Sequence, residues 1–128
     1  MSLDRLLLTG LRARGHHGVH EHERRDGQSF IIDLVVHLDL ARAAGSDDVA
    51  DTVHYGELAV AVVGAVERDP VDLIETVAER VAAVVLAHAA VQSVEVTVHK
   101  PEAPIVVPFA DVAVSIVRGR AEGPRGRA

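Results

Sequence analysis

The chain has 128 residues, a net charge of -6, 48% apolar residues and no cysteine, so it makes one domain with a substantial core. The missing cysteines exclude disulfides, thiolate metal sites and cysteine nucleophiles. An acidic balance with only two Phe and one Tyr offers neither a basic patch nor stacking platforms, which argues against nucleic acid as a partner.

Residues 1–10 carry Asp4 and Arg5 among few leucines and do not read as a signal peptide. No apolar run approaches membrane-spanning length, and with the lack of cysteine this fits a cytoplasmic protein. Residues 3–14 read as a strand, with Gly10 a bulge or a point of close approach. Gly15, His16, His17 and Gly18 break it, and the polar stretch to Gly27 reads as a connection. Residues 29–40 give the clearest element, with Phe30, Ile32, Leu34, Val36, Leu38 and Leu40 on one face at period two. Gly45, Ser46, Asp47 and Asp48 then open a loop.

The period changes near His54. Leu58, Val62, Val63 and Val66 recur at helical spacing, Thr52 is a candidate cap, and Asp69-Pro70 closes the helix. A second helix carries Leu73, Val77, Val81, Val84, Val85 and His88 as its stripe, with Asp72 and Glu75 placed as a capping box. Val94, Val96 and Val98 alternate into a third strand ending at Lys100, followed by an extended connection with Pro101, Pro104 and Pro108. Val112, Val114 and Ile116 mark a fourth strand ending near Arg118. The domain is therefore expected over residues 1–118, with 119–128 a disordered Gly/Arg tail.

The fold class that follows is α+β, a four-stranded antiparallel sheet with two helices on one face in the order ββααββ. The uncovered face mixes Ile31, Val35, Ala113 and Val117 with Asp33, His37, Glu95 and Thr97. It is too apolar for plain solvent surface and too polar for a core, and outer strands would leave unpaired edges. Edge-to-edge joining of subunits into a closed barrel removes both problems, so an obligate homo-oligomer is expected.

Lysine occurs once, at Lys100, in a chain that otherwise uses Arg. An Arg stays protonated, whereas a partly desolvated Lys exchanges a proton and serves as acid and base. A strand-end cation snorkelling to water is the bland alternative. Glu75 allows two readings, a first-turn carboxylate beside a helix dipole or a grip for a flat amidine-like ring edge. Tyr55, the only phenol, is either a helix-start anchor or a proton donor. His16, His17, His20 and His22 suggest zinc, but the surrounding glycines imply an irregular loop and no further His pair completes a site, so no metal is expected.

Several blocks, taken in order, resemble dihydroneopterin aldolases. They are Gly15-His16-His17-Gly18-Val19, Glu23-Arg24, Gly27-Gln28-Ser29-Phe30, Ser46-Asp47-Asp48, Asp51-Thr52-Val53-His54-Tyr55, Leu73-Ile74-Glu75 with Ala78-Glu79, and Lys100-Pro101-Glu102-Ala103-Pro104-Ile105. The resemblance implies the tunnelling fold, in which four subunits form a ring around a barrel and two rings commonly stack into an octamer, with sites between subunits. It implies a pterin substrate, no cofactor, no metal and no Schiff base. The implied reaction is retro-aldol cleavage of 7,8-dihydroneopterin, with a possible epimerase side activity giving 7,8-dihydromonapterin. Lys100 would be the acid/base, Tyr55 of a neighbouring subunit would assist protonation, and Glu75 would hold the pterin's 2-amino group and N3–H. The backbone at Ile74 would meet the ring's polar edge, and Glu23 would bind near the substrate. A triphosphate epimerase, an oxygenase and a non-catalytic pterin-binding ring are the rivals. The oxygenase variant of the family has Phe at the position of Tyr55.

Overall fold

The computed structural model describes residues 4–120. It contains β1 (Asp4–Gly15), α1 (Glu21–Asp26), β2 (Gln28–Leu38), α2 (Ala41–Ser46), a single 3-10 turn (Val49–Asp51), α3 (Tyr55–Glu67), α4 (Ile74–Leu86), β3 (Ser93–His99) and β4 (Ala113–Gly119). The sheet runs β1-β2-β3-β4 with every neighbouring pair antiparallel. The α+β class is as expected, with α3 and α4 as its two long helices. The short α1 and α2 were not expected. Each is six residues long and mostly polar or small, too short to show a helical stripe.

One core lies between the sheet and the long helices. Phe30, Ile32, Leu34, Val36 and Leu38 of β2 and Val94, Val96 and Val98 of β3 are buried. They pack with Leu58, Val62 and Val66 of α3 and Val77, Ala78, Val81 and Val85 of α4. Valine suits the strands, where β-branched side chains fit the pleat. Valine-rich helices gain little from propensity, so their stability comes from this burial. Leu40 does not extend the β2 stripe. The strand stops at Leu38, and Leu40 turns into the start of α2.

Gly10 is a bulge. Pairing of β1 with β2 slips between Leu8 and Leu11, Gly10 has φ 74°, and its N–H donates to Asp33 Oδ1 at 2.8 Å. The expected caps are wrong at both long helices. α3 is capped by His54, whose Nδ1 accepts the Glu57 N–H at 3.2 Å, and not by Thr52. At α4 the cap position is Leu73, with no side-chain cap. Asp72 is turned instead to Arg24 Nη2, 2.5 Å away.

Neither long helix has a basic residue in its last turn, and each borrows an arginine from elsewhere. Arg80 of α4 donates to the carbonyls of Ala65, Arg68 and Asp69 at the end of α3. Arg120 donates to those of Leu86, His88 and Val91 at the end of α4. Both supply donors and positive charge where helix carbonyls lack partners. β4 ends at Gly119, and Arg120 follows it against the end of α4. The rest of the expected tail lies outside the described residues.

The open face of the sheet is laced by polar side chains that bridge strands. His37 meets Glu95 at 2.9 Å, His99 meets Asp33 at 2.7 Å, and Thr97 meets Ser115 at 3.1 Å. Ile31 and Val35 are half-buried between them, and Val117 and Leu7 are exposed. Among the described residues, no helix is long and apolar enough to cross a membrane.

Candidate active site

Four expected site residues meet at one cleft. Glu23, Ile74, Glu75 and Lys100 come from three distant segments and line a hollow of about 320 Å³, with Val19, His20, Leu73 and the 103–105 stretch. Ile74 and Glu75 open α4, so their N–H groups are among those with no intrahelical acceptor and can face a ligand. The Glu75 side chain is exposed beside them. A larger hollow of about 870 Å³, lined by Asp39, Arg42, Asp51, His88 and Gln92, contains none of the expected site residues. Its Arg42–Asp51 pair lies on the surface. Chemistry and not size therefore selects the smaller cleft.

Lys100 and Glu23 form the centre of the cleft. Nζ lies 2.7 Å from Glu23 Oε2, with the Lys100 side chain 14% exposed and that of Glu23 2%. The Glu23 carboxylate also accepts from Gln28 Nε2 at 2.9 Å and from the His20 N–H at 3.2 Å. Burial alone would push the Glu23 carboxyl up, but the bonds from Lys100, Gln28 and His20 outweigh it and hold the group below the ordinary value. Its stabilising contribution is present above that ordinary value and is lost as pH falls through the lowered one. Glu23, expected to bind near the substrate, lines the cleft with its oxygens engaged by Lys100, Gln28 and the His20 N–H.

Two further residues hold this arrangement: Gln28, to which sequence reasoning assigned no role, and His17, which it placed in the histidine cluster. Gln28 is buried, and its amide donates to both Glu23 and the His17 carbonyl, which fixes which end is nitrogen. Its Oε1 is buried without a partner among the described residues. Gln28 falls in the period-two register of Phe30 and Ile32, so a polar residue on the buried stripe was the available signal. His17 is fully buried. Its Nε2 pairs with the Val66 carbonyl and its Nδ1 accepts the Val71 N–H at 3.1 Å. That geometry requires the neutral tautomer with the proton on Nε2. Together with the Gly18 N–H bond to Val71 O at 2.9 Å, it pins the glycine-rich turn to the end of α3. Gly18 must be glycine here, since it has φ 146° and a Cβ would fall 2.1 Å from Glu23 Oε1.

Burial, chiefly, lowers the His17 pKa, helped by Arg80, Arg24 and His16 and opposed by the Val66 bond. A lowered folded value means that the stabilising contribution is present above the ordinary histidine value and is lost as pH falls below it. Denaturant titrations of the native protein are expected to show stability falling from pH 7 toward pH 5. His17→Asn keeps an acceptor for Val71 but cannot titrate, so the fall should flatten. An unchanged slope in that variant would show that His17 is not its source.

The other histidines of the cluster do not converge. His16 Nδ1 pairs with the Arg24 carbonyl at 2.9 Å, and His20 and His22 stack with centroids 5.6 Å apart on the surface. Among the described residues, no group of three or more His, Asp or Glu side chains could hold a metal ion. Tyr55 is not brought to the Lys100 cleft within one chain. It is 65% exposed at the start of α3, tilted against His54, and lines a separate hollow of about 300 Å³ with Leu6, Val49 and Val53.

Comparison with known proteins gives a consistent result. The family described as "FolB: Dihydroneopterin aldolase" matches residues 6–117. A relative named dihydroneopterin aldolase, from Streptomyces coelicolor, is 58% identical over 118 residues, covering 92% of this chain and 99% of the relative. The crystal structure of E. coli dihydroneopterin aldolase in complex with neopterin superposes with a TM-score of 0.84 at 36% identity, covering 91% of this chain and all of that one. A dihydroneopterin aldolase from Burkholderia bound to guanine superposes with a TM-score of 0.76 at 27% identity, covering 93% of each chain.

Proposed function

The chain belongs to the dihydroneopterin aldolase family, and we propose that it performs the retro-aldol cleavage of 7,8-dihydroneopterin in the cleft that joins Lys100, Glu23, Ile74 and Glu75. The observation that carries this reading is the convergence of these residues from three segments far apart in sequence on one cleft. Neopterin and guanine, the ligands of the two structural relatives, share an amino-oxopyrimidine ring edge. A carboxylate matches the paired N–H donors of that edge, and an α4 N–H group matches its carbonyl. Glu75 takes the first role and the backbone at Ile74 the second.

The products are 6-hydroxymethyl-7,8-dihydropterin and glycolaldehyde. The 2'-hydroxyl loses its proton, the C1'–C2' bond breaks, and the electron pair flows into the C6–N5 imine. The resulting enamine is then protonated at C1'. Each proton transfer needs a group within reach, directly or through one water. Lys100 serves as acid and base, anchored by Glu23. Tyr55 assists protonation from a neighbouring subunit. Its separation from Lys100 in one chain and the unpaired edges of β1 and β4 support a closed barrel of subunits, as a ring of four or a stacked octamer. Epimerisation to 7,8-dihydromonapterin would use the same cleavage step run backwards after rotation of the bound aldehyde.

Glu75→Gln tests where the ring sits. It is expected to weaken binding of 6-hydroxymethyl-7,8-dihydropterin by about 1.5–3 kcal/mol, the range for a hydrogen bond to a charged group. The fold should be unaffected, because the Glu75 side chain is exposed. Calorimetric titration giving an unchanged affinity would remove Glu75 from the binding site.

A further inference from the structure

His99, the last residue of β3, has a carboxylate at each ring nitrogen. Nδ1 lies 2.7 Å from Asp111 Oδ2 and Nε2 lies 2.7 Å from Asp33 Oδ2. Ionised carboxylates only accept, and a neutral imidazole has a single N–H, so both contacts are satisfied together only by the imidazolium. Asp33 belongs to β2 and is further fixed by the Gly10 N–H. Asp111 belongs to the 101–112 connection, which supplies Ala103, Pro104, Ile105 and Val112 to the cleft.

Two local turns order the start of that connection, through the Ala103 N–H to Lys100 O at 3.1 Å and the Ile105 N–H to Ala103 O at 2.8 Å, but few contacts tie it to the rest of the fold. Val106 and Val107 are exposed, so burial does not anchor its middle. Its base is closed by the Lys100 N–H to Val112 O at 2.7 Å, and Glu102 accepts a long bond of 3.3 Å from the Ser29 N–H. The charge-assisted His99–Asp111 bond is the short side-chain tie.

We propose that His99 is a positioning residue: as an imidazolium clasped between Asp33 and Asp111, it holds the 101–112 connection in place as a wall of the cleft and releases it on losing its proton. The clasp is a property of the fold alone, whereas its effect on substrate rests on the pterin reading above. Charge around the ring favours the cation. Asp33 faces it from β2 and Asp111 from the connection, while Ala113, its pairing partner on β4, and Thr97 on its own strand are uncharged. Arg12 of β1 lies across β2, beside Ile31, and the neighbouring Lys100 is engaged by Glu23. Asp111 first, and Asp33 with it, raise the His99 pKa against the opposing effect of burial. A raised folded value means that the clasp is complete below the ordinary histidine value and opens as pH rises through the higher one.

The test follows the His99 ring by NMR, with the resonance assigned by its loss in His99→Gln. Amide exchange of Ala103 and Ile105 and the KM for 7,8-dihydroneopterin are measured over the same pH range. In the native protein the His99 midpoint is expected above the ordinary value. Past it, loop exchange should accelerate and KM rise by at least about tenfold, the effect of losing one charge-assisted bond, while kcat changes less. In Asp111→Asn the carboxamide accepts from the imidazolium or donates to the bare Nδ1, so the His99 midpoint should fall and the KM step should flatten. His99→Gln, which does not titrate, should abolish the step. A His99 midpoint at or below the ordinary value would overturn the clasp, as would an Asp111→Asn variant that keeps both the midpoint and the step. A raised midpoint with gated exchange but constant KM would overturn the positioning role. If the protein fails to cleave dihydroneopterin at all, ring titration and loop exchange still decide the clasp, so that failure would fall on the functional reading alone.

Discussion

Lys100→Arg is expected to lower the rate of 7,8-dihydroneopterin cleavage by at least about a hundredfold, the scale of a general acid/base contribution. Arginine is chosen because removing the cation would leave Glu23 buried and unpaired, a defect of about 3–5 kcal/mol that would confuse stability with catalysis. A guanidinium can still meet Glu23 Oε2, which now lies 2.7 Å from Nζ. What it cannot do is give up a proton at workable pH. Product affinity should change far less, because the ring is held by Glu75 and the start of α4. Near-normal turnover in the Arg variant would reduce Lys100 to a counter-ion for Glu23.

Tyr55→Phe is expected to redirect the reaction as well as slow it. The ring packing against His54 is kept and only the phenol is lost. The enamine then waits longer for its proton, and dioxygen can trap it, as the Phe-bearing family variant implies. Cleavage flux should fall while oxygen-dependent 7,8-dihydroxanthopterin rises. Because Tyr55 lines a hollow apart from the Lys100 cleft within one chain, each site should draw the two groups from different subunits. Mixing Tyr55→Phe with Lys100→Arg subunits should therefore rebuild sites carrying both native groups. No recovered cleavage after verified subunit exchange would place both residues in one subunit's site.

The sequence made the sheet and the long helices legible because burial is periodic there. Phe30 to Leu38 at period two, and Leu58, Val62 and Val66 at helical spacing, are all buried. It failed at the caps, where several candidates sit within a few residues and tertiary contacts decide. Asp72 is drawn to Arg24, leaving Leu73 to start α4, and His54 caps α3 in place of Thr52. Resemblance singled out Glu23, Glu75 and Lys100 as candidates, but nothing in the sequence pairs Glu23 with Lys100. That pairing depends on the glycine-rich turn being pinned by His17, a contact between distant segments that no local pattern encodes. The polar pairs of the open face were equally hidden, since alternation shows which residues share a face but not which of them touch.

The central claim is tested most directly by incubating the purified protein with 7,8-dihydroneopterin and quantifying both products over time. The expected result is glycolaldehyde and 6-hydroxymethyl-7,8-dihydropterin in equal amounts, at a rate that a metal chelator leaves unchanged. Substrate consumed only to 7,8-dihydromonapterin, or not consumed at all by a folded protein that binds the pterin, would contradict it.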